Sequence, residues 1–407
     1  MLRAMLTAVS GLRNHQTYLD VVGNNIANVN TLGYRTSRVA FQDLLSQTLR
    51  PGSGPQGAFG GVNPMQVGLG ASLASIDTIQ TQGTLQATGK LTDLALQGNG
   101  YFVLSDGTTS YYSRDGAFDL DAAGRLVNPA VGLTVMGWQA TNGVIDPTQP
   151  LSPLTIPLNQ SMRAAASTSL GLSGNLDVTT AVGDTVQSEA SVRDSLGVAH
   201  SIQLTYTHTG TNTWTVQATS PEGLAITPAG PIDLTFDANG QIVAPTPPPT
   251  LSIATTNGAN PVDLTLELSG LTQLSGASSL QGAADGNGAG SLTTFTVDQT
   301  GIITGVYSNG VQMVLGQIAV ATCANPGGLL KVGENLLQDN LASGTMQVGT
   351  AGTNGRGMIA AGVLEMSNVD LAQELTNMIM AERGFQANSR VITASDQILQ
   401  NLVSLGM

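Results

Sequence analysis

The chain carries two hydrophobic rhythms. At its start, Met5, Leu12, Leu19 and Ile26 recur every seven residues, with Leu2 and Val9 between them. That spacing places apolar side chains on one stripe of a helix, here over about 25 residues or roughly 38 Å. At its end, Leu371, Met378, Phe385, Ile392 and Leu399 repeat the pattern, with Leu375 and Val403 alongside. Asn368 is a candidate cap for this second helix, and Asp370 puts a negative charge in its first turn. Both seams are thin, because Gln16, Glu382, Ser389 and Asp396 occupy positions the repeat would reserve for apolar residues. A lone helix of this kind is marginal in water. The two are expected to pair with each other and with neighbouring molecules, and to be largely disordered before they do.

Between the helices the rhythm changes to period two. Residues 94–127 read as short strands broken by Asp-Gly and Ala-Gly turns. Ile202, Leu204 and Tyr206 alternate with polar residues, and after Gly210-Thr211-Asn212 so do Trp214, Val216 and Ala218. This predicts a hairpin with one buried face. Residues 292–320 repeat the style around Asn309-Gly310. Residues 50–63, 141–150, 245–249 and 282–291, rich in Gly, Pro or Ala, read as linkers or surface segments. The expectation is an α+β fold, mainly β. Paired N- and C-terminal heptad helices form a coiled-coil-like core, and one of the discontinuous β-rich domains is inserted in another. The expected boundaries are 1–30 with 363–407 for the helical domain, and 31–75 with 352–362 for an extended connecting segment. A β-rich middle domain takes 76–145 with 291–351, and an inserted β-rich outer domain takes 146–290.

Composition narrows the function. Charged residues are 10% and aromatics 4%, while 41% of residues are hydrophobic and 50 are Gly. This fits an ordered, turn-rich β protein better than a disordered chain. With 14 basic residues against 27 acidic, the net charge is −13. No basic stripe is available for phosphates, so nucleic acid is not an expected partner. The densest basic group, Arg35, Arg38 and Arg50, reads as solvated. A single cysteine, Cys323, precludes an internal disulfide, and its apolar surroundings predict a small buried residue. His15, His200 and His208 lack partners at metal-ligand spacing. No nucleophile elbow or phosphate loop is present, and Asp119–Gly124 reads as a strand turn rather than a calcium loop. No cofactor, metal or catalytic residue is expected. No segment reaches the roughly 18 apolar residues of a membrane span, so membrane insertion is not expected. The first sixteen residues lack an apolar core of signal-peptide length.

Three blocks carry a resemblance. The first is Ala8-Val9-Ser10-Gly11-Leu12, Leu19 to Asn28 (LDVVGNNIAN) and Thr31-Leu32-Gly33-Tyr34-Arg35. The second is Asp93 to Leu96, Gly98 to Phe102 and Arg114-Asp115-Gly116-Ala117-Phe118. The third is Ser367 to Leu371, Glu374-Leu375, Met378-Ile379, Phe385 to Asn388 and Asp396 to Leu399. Together they resemble the flagellar rod–hook family of axial proteins. Asn24, Asn25 and Asn28 fall where a helix ends, and their amides can satisfy loose backbone groups; Gly33 can supply a positive φ. Two further stretches resemble the hook branch. One runs from Gly183 through Asp194-Ser195-Leu196-Gly197 to Trp214, the other from Gly305 through Asn309-Gly310 to Leu329.

The resemblance implies a structural subunit that polymerises with itself into a curved, flexible tube transmitting torque from motor to filament. It implies that Met5, Val9, Leu12, Leu19, Ile26, Leu371, Leu375, Met378, Phe385, Ile392, Leu399 and Val403 form an inner helical layer. The inserted domain would face outward, and residues 31–75 would stabilise contacts between layers. Implied partners are the distal rod protein, the hook–filament junction proteins, the hook cap and the flagellar type III export apparatus. That apparatus exports without removing a signal peptide. A distal-rod or hook-associated member of the same family is the nearest alternative, and a surface adhesin-like β module the more distant one.

Overall fold

A computed structural model of the chain describes residues 2–55, 60–158 and 161–405. Two helices, α1 (Leu2–Ala27) and α2 (Leu371–Leu405), bracket a chain that is otherwise strands and turns. The structure divides into two compact units. The first comprises Met1–Ile156, Thr296–Thr304 and Val314–Met407, and the second Pro157–Phe295 with Gly305–Met313.

The first unit contains the helix pair and an antiparallel sheet. Its strands run in the order Gln312–Thr322, Thr134–Gln139, Tyr101–Ser105, Ser110–Ser113, Leu336–Gln338 and Leu330–Gly333. Both faces of the central strand Tyr101–Ser105 are buried. Tyr101 and Val103 pack with Tyr112, Trp138 and Ala319. On the other face Phe102 meets Phe118 edge to face, with ring centroids 5.1 Å apart. Two short pairings guide the returning chain toward α2. Met358–Ala361 lies against Leu94–Gln97, and Val363–Glu365 against Leu85–Ala87. The segment after α1 folds as hairpins, Ser37–Asp43 with Ala71–Thr78 and Ser46–Arg50 with Met65–Gly68. Residues 50–55 and 60–63 therefore continue a β-hairpin rather than a free linker, with Ser53 bridged to Val62. Residues 56–59 lie outside the described residues.

The second unit is a β-sandwich. One sheet orders Ile226–Thr227, Thr250–Ile253, Val262–Leu274, Ser169–Asp177 and Ser279–Ala284, with its third and fourth strands parallel. The other is antiparallel, Thr185–Arg193, Ala199–Gly210, Thr213–Thr219, Ile232–Phe236 and Ile242–Ala244. Their inner faces share one core that includes Leu172, Leu204, Tyr206, Trp214 and Leu266. The hairpin read from sequence is present, with Tyr206 opposite Val216 and His208 opposite Trp214. Residues 282–291 are not a linker. Gly282, Ala283 and Ala284 continue a strand against Leu172, Gly171 and Leu170, and a new strand begins at Gly290. Their small side chains imitate loop composition while their backbones pair.

A four-residue device, Asp-x-x-Gly, closes hairpins in both units. In the turns starting at Asp121, Asp194, Asp237 and Asp298, the carboxylate accepts the backbone N–H groups two and four residues on. The glycine supplies the positive φ, from 77° to 85°. The carboxylate of Asp121 thus binds Ala123 and Arg125.

Candidate assembly interface

The helices run antiparallel at close range. Gly11 lies against Asn388, and Gly384 against the ring of His15: a Cβ built on Gly11 would fall 2.7 Å from the Asn388 amide nitrogen, and one on Gly384 would fall 2.4 Å from the imidazole. Each helix offers a gap where the other presents a polar side chain. Ala8, Val22, Ala381 and Ser395 are the buried residues of this contact face. The expected seam is only partly used within the chain. Met5, Val9, Leu12, Leu19, Ile26, Met378, Ile392 and Leu399 are half-buried. Leu371, Leu375 and Phe385 are exposed, by 44%, 45% and 38%. The polar interruptions Gln16, Glu382, Ser389 and Asp396 are exposed too, because the helices meet on their small residues. Val403 lies outside the residues whose side chains are described.

The Asn patch ties α1 to the strand that follows. Asn25 is buried, and its amide bonds Ser37 twice: Nδ2 donates to the Ser37 carbonyl at 2.8 Å, and Oδ1 accepts the Ser37 N–H at 3.0 Å. Asn28 closes the helix through its N–H and its Nδ2, both donating to the Asn24 carbonyl. Asn24 Oδ1 accepts the Tyr34 hydroxyl at 2.7 Å. Gly33 sits at φ 64°, where a Cβ would fall 2.8 Å from the Arg114 carbonyl carbon. Asn368 is not the cap of α2. Asp370 caps it, accepting from Ala372 and Gln373. The Asn368 amide instead accepts the Thr36 N–H and donates to the Ile79 and Thr81 carbonyls. A side chain with both donor and acceptor can join a backbone N–H to passing carbonyls, which an acceptor-only carboxylate cannot do.

Beneath these contacts lies a buried charge clasp. Glu365, fully enclosed, meets Arg35 at 2.7 Å and Arg114 at 3.3 Å. It also accepts the Gly83 N–H through its side chain and the Gly33 N–H through its carbonyl. Arg114 donates to the carbonyls of Leu96 and Gly98, and its guanidinium lies over the Tyr101 ring. Burial pushes the Arg114 pKa down, the nearby Glu365 carboxylate opposes that, and Arg35 adds to it. A buried pair gains little net stability but fixes geometry. Here one carboxylate gathers the chain just before α2, the chain just after α1 and the sheet. Sequence reading placed Arg35 in a solvated group, whereas it is 7% exposed. Glu365 is a single Glu beside an apolar run, which carries no local signal of burial.

Comparisons with known proteins follow this anatomy. Residues 5–35 match the family model described as Flagella basal body rod protein, and 360–405 match Flagellar basal body rod FlgEFG protein C-terminal. Residues 95–177 match Flagellar hook protein FlgE/F/G D1 domain, and 158–289 match Flagellar basal body protein FlaE D2 domain. The chain is 39% identical to the flagellar hook protein FlgE of Treponema pallidum, covering 100% of both chains. It is 40% identical to FlgE of Borreliella burgdorferi, again covering 100% of both. The chain belongs to the flagellar hook protein family. Its fold also resembles the crystal structure of Helicobacter pylori flagellar hook protein FlgE2 (TM-score 0.55, 18% identity), which covers 69% of this chain and 100% of that one.

Membership of the hook-protein family gives the clasp its context. Arg35 lies in the first matched segment, Arg114 in the D1 match and Glu365 in the C-terminal match. The remaining candidate groups have other roles. Cys323 is half-buried just past its strand rather than enclosed, because the strand ends at Thr322. Its burial raises the thiol pKa. His200 and His208 both lie on the strand Ala199–Gly210 and are buried in the sandwich, His208 stacked on Trp214 with centroids 4.7 Å apart. Among the described residues no helix is long and apolar enough to cross a membrane.

Proposed function

We propose that the chain is a non-catalytic structural subunit of a bacterial flagellar hook, polymerising with copies of itself into a curved tube that couples motor rod to filament. The observation that carries this reading is the apolar surface of α2 left open on both flanks of its contact with α1. Leu371, Leu375, Ile379, Met380, Phe385, Val391 and Ile398 are all exposed, while the pairing with α1 uses small residues. Exposed large apolar side chains on both flanks of one helix mark an interface, and identical neighbours presenting the same surfaces are its natural occupants. Met5, Val9, Leu12, Leu19, Ile26, Met378, Ile392, Leu399 and Val403 would complete the burial in that layer. A continuous helical layer resists twisting. The polar surface of the sandwich lets contacts between copies exchange through water as the tube bends, at small cost.

This reading places the protein outside the cell, exported by the flagellar type III apparatus beneath the hook cap, and joined to the distal rod protein at one end and junction proteins at the other. An in-frame deletion in the source cell, followed by electron microscopy of purified basal bodies, tests it. Complete rods with neither hook nor filament are expected. Truncated rods would move the chain to the rod, and normal flagella would refute the assignment.

A further inference from the structure

Beside the charge clasp is a cavity of about 190 Å³ lined by Arg35, Arg114 and Lys331 together with Tyr34, Tyr101 and Asn335. Its wall holds two buried guanidiniums, and the enclosed carboxylate serving both is Glu365. Glu365 lies behind the lining, and Glu334, an acid of the lining itself, is exposed. One positive charge of the buried group is therefore left over. The Nε atoms of Arg35 and Arg114 are buried and have no hydrogen-bond partner, although both residues are more than nine-tenths enclosed. Lys331 adds a third cation, held over the Tyr34 ring at 5.6 Å and bonded to Ser37 Oγ at 3.3 Å. A wall carrying three cations, Arg35, Arg114 and Lys331, favours an anion with oxygen acceptors. The cavity is smaller than the roughly 300 Å³ at which small-molecule pockets begin, so it suits a side chain rather than a nucleotide.

We propose that this cavity is a carboxylate-binding site, filled in the polymer by an Asp or Glu side chain of a neighbouring copy. The proposal rests on the assembly reading above. Charge balance selects the occupant. Each subunit carries 27 acidic residues and 14 basic ones, so packing copies together brings a surplus of carboxylates to few cations. Asp20, Asp43 and Glu382 are exposed on α1, on the first hairpin and on α2, and form no ion pair among the described residues. A contact in which one copy's acid enters the next copy's pocket is head-to-tail, the kind that propagates along a helical polymer.

The test uses the full chain and three forms: wild type, Lys331→Met and Lys331→Arg. In the soluble chain, sodium succinate should shift the Arg35 and Arg114 Nε–H resonances, and Lys331→Met should weaken that binding. In hooks isolated from cells, Lys331→Met should release subunits on heating about tenfold faster, the factor given by one lost charge-assisted contact, while Lys331→Arg behaves as wild type. Failure of Lys331→Met to form hooks, with Lys331→Arg forming them and Trp214 fluorescence native in both, supports the proposal equally. Succinate binding with unchanged hook dissociation would assign the site to free carboxylates and overturn the neighbour as occupant. No succinate shift and no change in dissociation would overturn the site itself. Neither negative result touches the functional assignment, which the deletion experiment decides.

Discussion

The inserted sandwich and the terminal helix pair bury their residues in opposite ways. In the sandwich Leu204, Tyr206, Trp214 and Leu266 are fully enclosed, and the strand Ala199–Gly210 alternates buried with partly exposed positions along most of its length. In the helix pair Ala381 and Ser395 are buried while Leu371, Leu375 and Phe385 are not. Burying a Leu-sized side chain contributes about 1.5–3 kcal/mol. The sandwich has drawn on that term within one chain, and the helices largely have not. One region is complete when the chain folds. The other would be completed by assembly, on the function proposed above.

The largest effect should come from setting one substitution in each region side by side. Leu204→Ala opens a cavity in the sandwich core and should cost about 2–5 kcal/mol of folding stability. Phe385→Ala should change the stability of the soluble chain by less than about 0.5 kcal/mol, yet slow or prevent polymerisation. Denaturant unfolding of the soluble chain and sedimentation of the polymer measure the two. The contrast breaks if Phe385→Ala destabilises the soluble chain as Leu204→Ala does.

A smaller effect separates hydrogen bonding from apolar burial at the helical end. Asn25→Ala removes both bonds to Ser37 and leaves that residue's N–H and C=O without their partner. The expected cost is about 1–3 kcal/mol, seen as faster hydrogen exchange at the Ser37 amide. The unfolding transition of the sandwich, read by Trp214 in a Trp138→Phe background, should not move. A shift of that transition would mean the two regions unfold as one.

How much of this was legible in the sequence depended on which physical signal each part used. The alternation at Ile202, Leu204 and Tyr206 gave the hairpin and its buried face, because large apolar residues at every second position carry that signal; that His200 and His208 extend the same face was not visible. The heptads gave the existence of both helices but not the face on which they meet. That face is set by Gly11, Ala381, Gly384 and Ser395, whose small size carries no hydrophobic signal and matters only when a second backbone approaches. The Asn patch was visible, as was its capping logic, but the partner of Asn25 twelve residues on was not. The clasp was the least legible, since Arg35, Arg114 and Glu365 are far apart in sequence and only the folded chain encloses them. The Asp-x-x-Gly turns were available in principle, as the spacing of carboxylate and positive-φ glycine recurs at Asp121, Asp194, Asp237 and Asp298.

The smallest expected effect asks whether the self-sufficient region has a pH dependence of its own. His200 joins two acids in the sandwich, with Nδ1 2.8 Å from Glu222 and Nε2 3.1 Å from Asp194. Burial opposes its charge, but these two carboxylates outweigh burial and raise its pKa. Asp194 is likewise opposed by burial, yet bonds from Asn257, His200 and the Val198 and Leu196 amides lower its pKa to about 2. A raised histidine stabilises the fold fully below its unfolded value of about 6.5, and that contribution is lost as pH rises through the higher folded value. A lowered aspartate contributes above about 3.9 and loses its contribution as pH falls toward 2. The sandwich should therefore be most stable between about pH 4 and 6.5 and lose stability on the alkaline side. In a Trp138→Phe background, where Trp214 alone reports, the denaturation midpoint should fall between pH 6 and pH 9, and His200→Gln should flatten that fall. A wild-type midpoint equal at the two pH values would show that the His200 bridge adds no net stability, leaving the sandwich held by its apolar core alone.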